Sequence, residues 1–136
     1  MKPVVAVDPG TNKCGLAVLS GSGEVLDRQV LGPESVPDAI REAVETHGAD
    51  TVVLGDRTAA RAVWDRLRRS GLQLQTVLVD EHRSSEQARE RYFKENPPRG
   101  WRKLIPRGLL LPPCPVDDYV AVILAERYLG RVKDGG

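Results

Sequence analysis

Val4-Val5-Ala6-Val7-Asp8-Pro9-Gly10-Thr11-Asn12-Lys13-Cys14-Gly15-Leu16-Ala17-Val18 stands near the start of the chain, and its pattern decides how the rest is read. A short apolar run, Val4–Asp8, ends in an acid. Gly10 and Gly15 bracket a turn, and a second apolar run, Leu16–Leu19, follows. Gly21-Ser22-Gly23 marks another turn and Glu24–Leu31 a third strand, so the first 31 residues predict a three-strand meander. Side chains alternate along a strand, which puts Asp8 on the same face as Val4 and Ala6.

Beyond the meander the period changes. Ser35 and Pro37 open an amphipathic helix that carries Ile40 and Val44 on one face and stops at Gly48. Thr51–Leu54 reads as a buried strand closed by Gly55-Asp56. Thr58 is placed to cap a helix running to Arg69. Leu74–Val79 is a further strand ending in Asp80-Glu81. Ser84 or Ser85 caps a helix to about Lys94, and a last helix runs from Asp117 to about Val132. The order predicts an α/β fold: a five-stranded mixed sheet, three antiparallel strands and then βα units, with helices on both faces.

The length of 136 residues fits one domain, 1–136. With 40% hydrophobic and 29% charged residues the balance is that of a globular protein. There is no apolar run of the ~18 residues that a membrane span needs. The apolar stretch at the start is shorter than the roughly 7–15 residues of a signal-peptide core. Cys14 and Cys114 lack CxxC spacing and make no disulfide framework, so the chain is read as cytoplasmic with reduced thiols. The net charge of +1 hides an asymmetry. Residues 1–50 hold four Lys/Arg against eight Asp/Glu; residues 51–136 hold sixteen against eleven. Solvated helix faces account for such a split, and so does a basic surface beside an acidic site.

Three acids stand at the ends of elements: Asp8, Glu81 and Asp117. At about 100° per residue, Asp117 lies roughly opposite Glu126 on the last helix. If Glu126 and Arg127 mark the wet side, Asp117 joins Ala121, Leu124 and Tyr128 on the side facing the sheet, with Asp118 nearer the boundary. An inward carboxylate is costly unless it is paired, protonated or bound to a metal. Helix capping also suits Asp117 and Asp118, and an Asx turn suits Asp8 before Pro9-Gly10. Taken together, the three acids can converge on one site. Carboxylates are hard ligands for Mg²⁺ or Mn²⁺, and two such ions about 4 Å apart serve phosphodiester hydrolysis. His47 and His82 are the only histidines, and HExxH, P-loop and GxSxG motifs are absent.

The stretch Val4–Val18 resembles the opening motif of the YqgF/RuvX family, RNase H-like proteins described as Holliday junction resolvase-like or pre-16S rRNA-processing nucleases. Val79-Asp80-Glu81-His82-Arg83-Ser84-Ser85 resembles the family's second motif, and Asp117-Asp118-Tyr119-Val120-Ala121 its third. They occur in family order. The resemblance implies an RNase H-like fold, Asp8, Glu81 and Asp117 as catalytic, metal-binding acids, and Mg²⁺ or Mn²⁺ as cofactor. His82 stands where the family usually has Arg. Gly55-Asp56 stands where many members have an apolar residue and proline. An acid at that strand end is often a metal ligand in the wider RNase H-like group, so Asp56 joins Asp118 as a further metal candidate. The long proline-rich segment before Asp117 is a second departure.

That segment, about residues 95–116, holds six of the ten prolines. Between Pro97 and Pro115 it carries Arg99, Arg102, Lys103 and Arg107 around Trp101, with no acid before Asp117. One reading makes it a connector with Leu104, Ile105 and Leu109–Leu111 packed on the core. The other makes it a surface for nucleic acid, the cations meeting phosphates and the indole a base. Arg57 and Lys13 lie near the strand ends, where they would reach a phosphate; Arg61, Arg66, Arg68 and Arg69 suit a plain helix surface. The functional reading is a metal-dependent endonuclease for branched DNA or structured RNA, and symmetric cutting of a junction would favour a homodimer. The alternative is a non-catalytic nucleic-acid-binding module on the same fold. A sugar-kinase or actin-like ATPase shares the Asp8-Pro9-Gly10-Thr11 pattern but needs two domains and a longer chain.

Overall fold

A computed structural model describes residues 1–106, 109, 111, 112 and 114–135. Its strands are β1 (Val4–Asp8), β2 (Cys14–Leu19), β3 (Val25–Leu31), β4 (Thr51–Gly55) and β5 (Gln75–Val79). Its helices are α1 (Val36–His47), α2 (Ala60–Arg69), α3 (Ser84–Glu95) and α4 (Asp117–Gly135), with single 3-10 turns at Pro33–Ser35 and Gly100–Leu104. The strands form one sheet in the order β3-β2-β1-β4-β5. β2 runs antiparallel to both β1 and β3, while β4 lies parallel to both β1 and β5. This is the mixed α/β sheet expected from the sequence.

The two faces of the sheet carry separate cores. Val5, Val7, Leu16 and Val18 pack with Ile40 of α1 and Val63 and Leu67 of α2. Val4, Ala6, Ala17 and Leu19 pack with Ala88 of α3 and Ala121 and Leu124 of α4. β1 is fully buried on both faces, which is why its run is continuously apolar rather than alternating. Asp8 continues the even face of β1 and therefore points to the α4 side.

Gly15 does not bracket a turn. It lies inside β2 and pairs with Asp8 across the ladder. A Cβ there would run into the Asp117 carbonyl at the first turn of α4. Its lack of a side chain is what lets the start of α4 settle beside the end of β1. A lone glycine in an apolar strand is the usual sign of such a close approach.

Two expected caps are absent. The turn into α2 closes through Arg57, whose carbonyl accepts from the Ala60 N–H at 2.8 Å, and Ala59 rather than Thr58 takes the cap position. At α3 the cap position is Arg83, in the left-handed region at φ 60°, and Ser84 is already the first helical residue. The Ser84 hydroxyl is buried without a hydrogen-bond partner, and Ser85 accepts a bond from Arg57 instead. Nor do the described leucines of the proline-rich segment pack on the core: Leu104, Leu109 and Leu111 are all exposed. Leu110 and Arg107 lie outside the described residues. Among the described residues, no helix is long and apolar enough to cross a membrane.

A Gly15→Ala substitution has to displace the α4 backbone. It is expected to destabilise the fold by about 2–4 kcal/mol, measured as a lowered urea midpoint with an unchanged slope. Ala17→Gly, two residues along the same face, serves as the comparison for an ordinary loss of packing.

Candidate active site

The parallel strands β1, β4 and β5 end together, and the loops after them carry the acids. Asp8 is the last residue of β1 and is buried. Glu81 follows β5 by two residues and is 3% exposed. Asp117 opens α4 on the far side of Gly15. The structure brings these three together at one end of the sheet, as the strand and helix periods predict.

Glu81 is held from several directions. Its backbone N–H donates to the Asp56 carboxylate at 3.1 Å. Its Oε2 accepts from the Arg57 backbone N–H at 3.0 Å. The Arg57 guanidinium stands 3.4 Å from Oε1, which is buried and accepts no hydrogen bond. The side chain folds back over Gly55, where a Cβ would clash with its carboxyl carbon. Gly55 is thus required by the acid. The departure from the family pattern at Gly55-Asp56 makes Asp56 an anchor for the Glu81 backbone, with its own side chain exposed.

The loop that carries Glu81 is clamped from α4. The Arg127 guanidinium donates to the carbonyls of Asp80 and His82, both at 2.6 Å, and to Gln87 at 3.1 Å. Glu126 bonds Arg91 of α3 at 2.7 Å. Both residues are half-buried, so they do not form the wet face that the helical period suggests; they tie α4 to α3 and to the active-site loop. No local signal distinguishes Arg127 from a solvated arginine, because its acceptors all lie 40 or more positions away.

Each acid has a different charge partner. Asp117 is 3.6 Å from Lys13, and Glu81 has Arg57. Asp8 has no cation of its own. Burial first, then the adjoining Glu81 carboxyl and the charges of Glu81 and Asp117, push its pKa from 3.8 up to about 8, and Arg57 opposes this only in part. Asp118 is turned elsewhere. It pairs with Arg28 at 2.9 Å, and that guanidinium lies 3.9 Å above the Tyr119 ring and 3.6 Å from Glu95. Asp118 therefore belongs to a clasp joining β3, α3 and α4, not to the acid site.

Cys14 is buried below the Asp8–Gly10 turn, its sulfur bonded to the Gly10 amide and carbonyl, and burial raises its pKa. Cys114 is exposed, and both thiols are free. Arg99, Trp101 and Lys103 are exposed, while Arg102 donates to the Leu111 carbonyl at 2.8 Å. None of these four lines the cleft beside the acids. That cleft, of about 950 Å³, is bounded by the loops after β1, β4 and β5 and by one face of α2.

Among the described residues no three His, Cys, Asp or Glu side chains stand in an arrangement that holds a metal ion. The chemistry of the site nevertheless fits one. It offers hard oxygen donors, one buried carboxylate oxygen without a hydrogen bond, and a second carboxyl whose proton is held by burial first and by the neighbouring acids second. Asp8 and Glu81 would hold a divalent ion, with Asp117 joining when it parts from Lys13.

The raised pKa of Asp8 has a defined sign. Between pH 4 and 8 the metal-free folded protein keeps a proton that the unfolded chain has lost, so stability falls as pH rises through that window. Asp8→Asn is expected to remove about one proton of this dependence, about 1.4 kcal/mol per pH unit. The melting temperature near pH 8 without divalent ions should rise by about 3–6 °C. Thermal melts of both proteins from pH 4 to 8 in a chelating buffer check this.

No family model and no curated protein matches the sequence. Solved structures do match it. T. thermophilus RuvC in complex with a Holliday junction substrate superposes over 97% of this chain and 96% of its own, with a TM-score of 0.54 and 17% identity. A second structure of Thermus thermophilus RuvC covers 96% of each chain, at a TM-score of 0.48 and 13% identity. The nuclease domain of the large terminase subunit gp2 of bacterial virus Sf6, solved with manganese, covers 59% of this chain and 37% of its own, at a TM-score of 0.44 and 18% identity. At such identity the likeness is one of fold: this chain has the RNase H-like architecture found in RuvC.

Proposed function

We propose that this protein is a divalent-metal-dependent endonuclease that hydrolyses phosphodiester bonds in structured nucleic acid. One observation carries the reading. Two buried carboxyls, Asp8 and Glu81, meet at the ends of parallel strands with a third acid beside them, and burial together with these acids holds a proton on Asp8 toward neutral pH, where a cation would compete for its place. A structural salt bridge has no use for such a surplus of negative charge; a cation site does. The motif resemblance to the YqgF/RuvX family and the fold shared with a protein solved on a Holliday junction support the same reading.

When bound, Mg²⁺ or Mn²⁺ would supply activation of a water and neutralisation of charge on the phosphate. The chain's own groups do the rest. Asp8, once deprotonated to solvent, and Glu81 would hold the ion, with Asp117 beside them at the start of α4. Lys13 and Arg57, freed from Asp117 and Glu81, turn to the phosphate. Asp56 and Arg127 keep Glu81 in place throughout. Arg99, Arg102 and Lys103 take phosphates further along the strand, and the exposed Trp101 stacks on a base. Branched DNA is the first substrate class, with precursor ribosomal RNA the other; a homodimer would cut a junction symmetrically.

The test incubates the protein with Mn²⁺ and two labelled substrates, a synthetic four-way junction and a structured RNA. Wild type is expected to cut at least one. Asp8→Asn and Asp117→Asn should each lower the rate by on the order of a thousand-fold or more. Paired nicks in the junction identify a resolvase; cutting of RNA alone identifies RNA processing. Tight binding without cutting of either, in the presence of Mn²⁺, overturns catalysis and leaves a binding module. Ion binding has its own readout. Saturating Mn²⁺ should raise the melting temperature of wild type, by about 2.7 kcal/mol of stability at a hundred times the dissociation constant, and should leave Asp8→Asn unmoved.

A further inference from the structure

Three arginines line the cleft beside the acid site: Arg57, Arg66 and Arg83. Two of them face carboxylates. Arg57 stands by Glu81 at 3.4 Å and Arg83 by Glu86 at 4.0 Å. Arg66 is half-buried, and its guanidinium makes no hydrogen bond or ion pair among the described residues. The acids that share the cleft wall are already engaged. Asp56 accepts from the Glu81 amide, Asp80 from the His82 amide, and Glu81 from Arg57. A guanidinium on a cleft wall with no anion of its own is free to take a phosphate.

The rest of α2 makes this placement specific. Ala59, Ala62, Val63 and Arg66 follow the helical spacing and all line the cleft. The two alanines leave the cleft wide, and Arg66 is the charged group on that face. Helix-dipole stabilisation does not require it, because Arg68 and Arg69 occupy the same last turn and are exposed. The Arg66 charge is felt at the Cys14 thiol, directly under the Asp8–Gly10 turn. Cys14 belongs to the core on the α1 and α2 side of the sheet, whereas Asp8 and the first turn of α4 lie on the other. Arg66 thus approaches the acid site from the face opposite Asp117.

We infer that Arg66 seats a phosphate of the nucleic-acid strand next to the one held at the acids, so that the strand enters the site along the α2 side of the cleft. A cleft of about 950 Å³ exceeds what one phosphate fills and takes a short run of nucleotides. The polymer in this inference rests on the proposed function; the seat itself requires only a phosphate group.

The experiment measures binding of a four-way junction by fluorescence anisotropy without divalent ions, across a series of salt concentrations. Arg66→Gln is expected to weaken binding about three- to ten-fold and to reduce the slope of log K against log salt by about one phosphate contact. Arg66→Lys, which keeps the charge, should restore the slope. Arg69→Gln, on the same helix turn but bonded to the Asp65 carbonyl, should leave it unchanged. Equal effects of Arg66→Gln and Arg69→Gln overturn the seat, because general basicity then explains the binding. A second arm titrates inorganic phosphate against chloride at matched ionic strength and follows the melting temperature. If wild type binds neither the junction nor a structured RNA, the proposed function falls and this arm decides the seat. Stabilisation of wild type that is lost in Arg66→Gln upholds it, and no stabilisation of wild type overturns it.

Discussion

Three carboxyls gathered at one end of a sheet cannot all be ionised in a buried place without compensation, and that constraint organises the molecule. The protein answers it in two ways. Asp117 and Glu81 each take a cation, Lys13 and Arg57. Asp8, the most enclosed by other acids, takes a proton instead. The site is balanced, but by groups that can leave. Neither cation is buried, and a proton at a carboxyl with a pKa of about 8 exchanges readily near neutral pH. On the proposed reading, such an arrangement keeps a place for a compact positive charge without collapsing into a permanent salt bridge.

Holding the acids this close is the work of residues with no acid chemistry. Gly15 admits the start of α4 beside Asp8, and Gly55 gives Glu81 the space to fold over the end of β4. Arg127 reaches from α4 to the backbone on both sides of Glu81, so the helix that supplies Asp117 also fixes the loop that supplies Glu81. Arg28 ties the first turn of α4 to β3 through Asp118, and to α3 through Glu95. The distances between acids therefore depend on one rigid unit, α4 packed across β1 and β2. A misplacement of about 1 Å in such a unit is enough to spoil an in-line attack.

The parts of this arrangement that local periodicity controls are readable from the residues. Alternation along β1 puts Asp8 on the α4 side, and helical spacing puts Asp117 toward the sheet; both are so. Because two buried faces leave β1, β2 and β4 with continuous apolar runs, the changes of period mark the strands and helices to within a residue or two, save that α4 runs three residues past its expected end at Val132. What fails is whatever depends on a distant partner. Gly15 looks like turn punctuation until its neighbour across the ladder and the helix above it are known. Arg127 looks solvated because its acceptors are carbonyls from another element. Thr58, Ser84 and Ser85 have the chemistry of caps, but Arg57 takes Ser85 as a partner and the backbone at Arg83 turns left-handed, so the caps go unused. Asp118 differs from Asp117 by one position and one ion pair. Helical geometry separates their directions by about 100°, and Arg28 then decides which of them leaves the site.

The position of the cleft follows from strand order, before any side chain is considered. From β1 the chain turns to β2 and β3 on one side of the sheet; from β4 it crosses to β5 on the other. β1 and β4 are neighbours and parallel, so the loops leaving their ends diverge and open a crevice between them. Open α/β sheets bind their ligands at such a divergence. Here it lies between the Pro9–Thr11 loop and the Asp56–Thr58 loop, both of which line the cleft. Glu81 reaches into the gap from the next strand over. The topology thus provides a slot with acids at one wall and an open approach along α2. The proposed ligand, a phosphodiester strand with a divalent ion, suits this slot: it is extended, anionic toward the arginines of the cleft, and able to bring a cation to the acids.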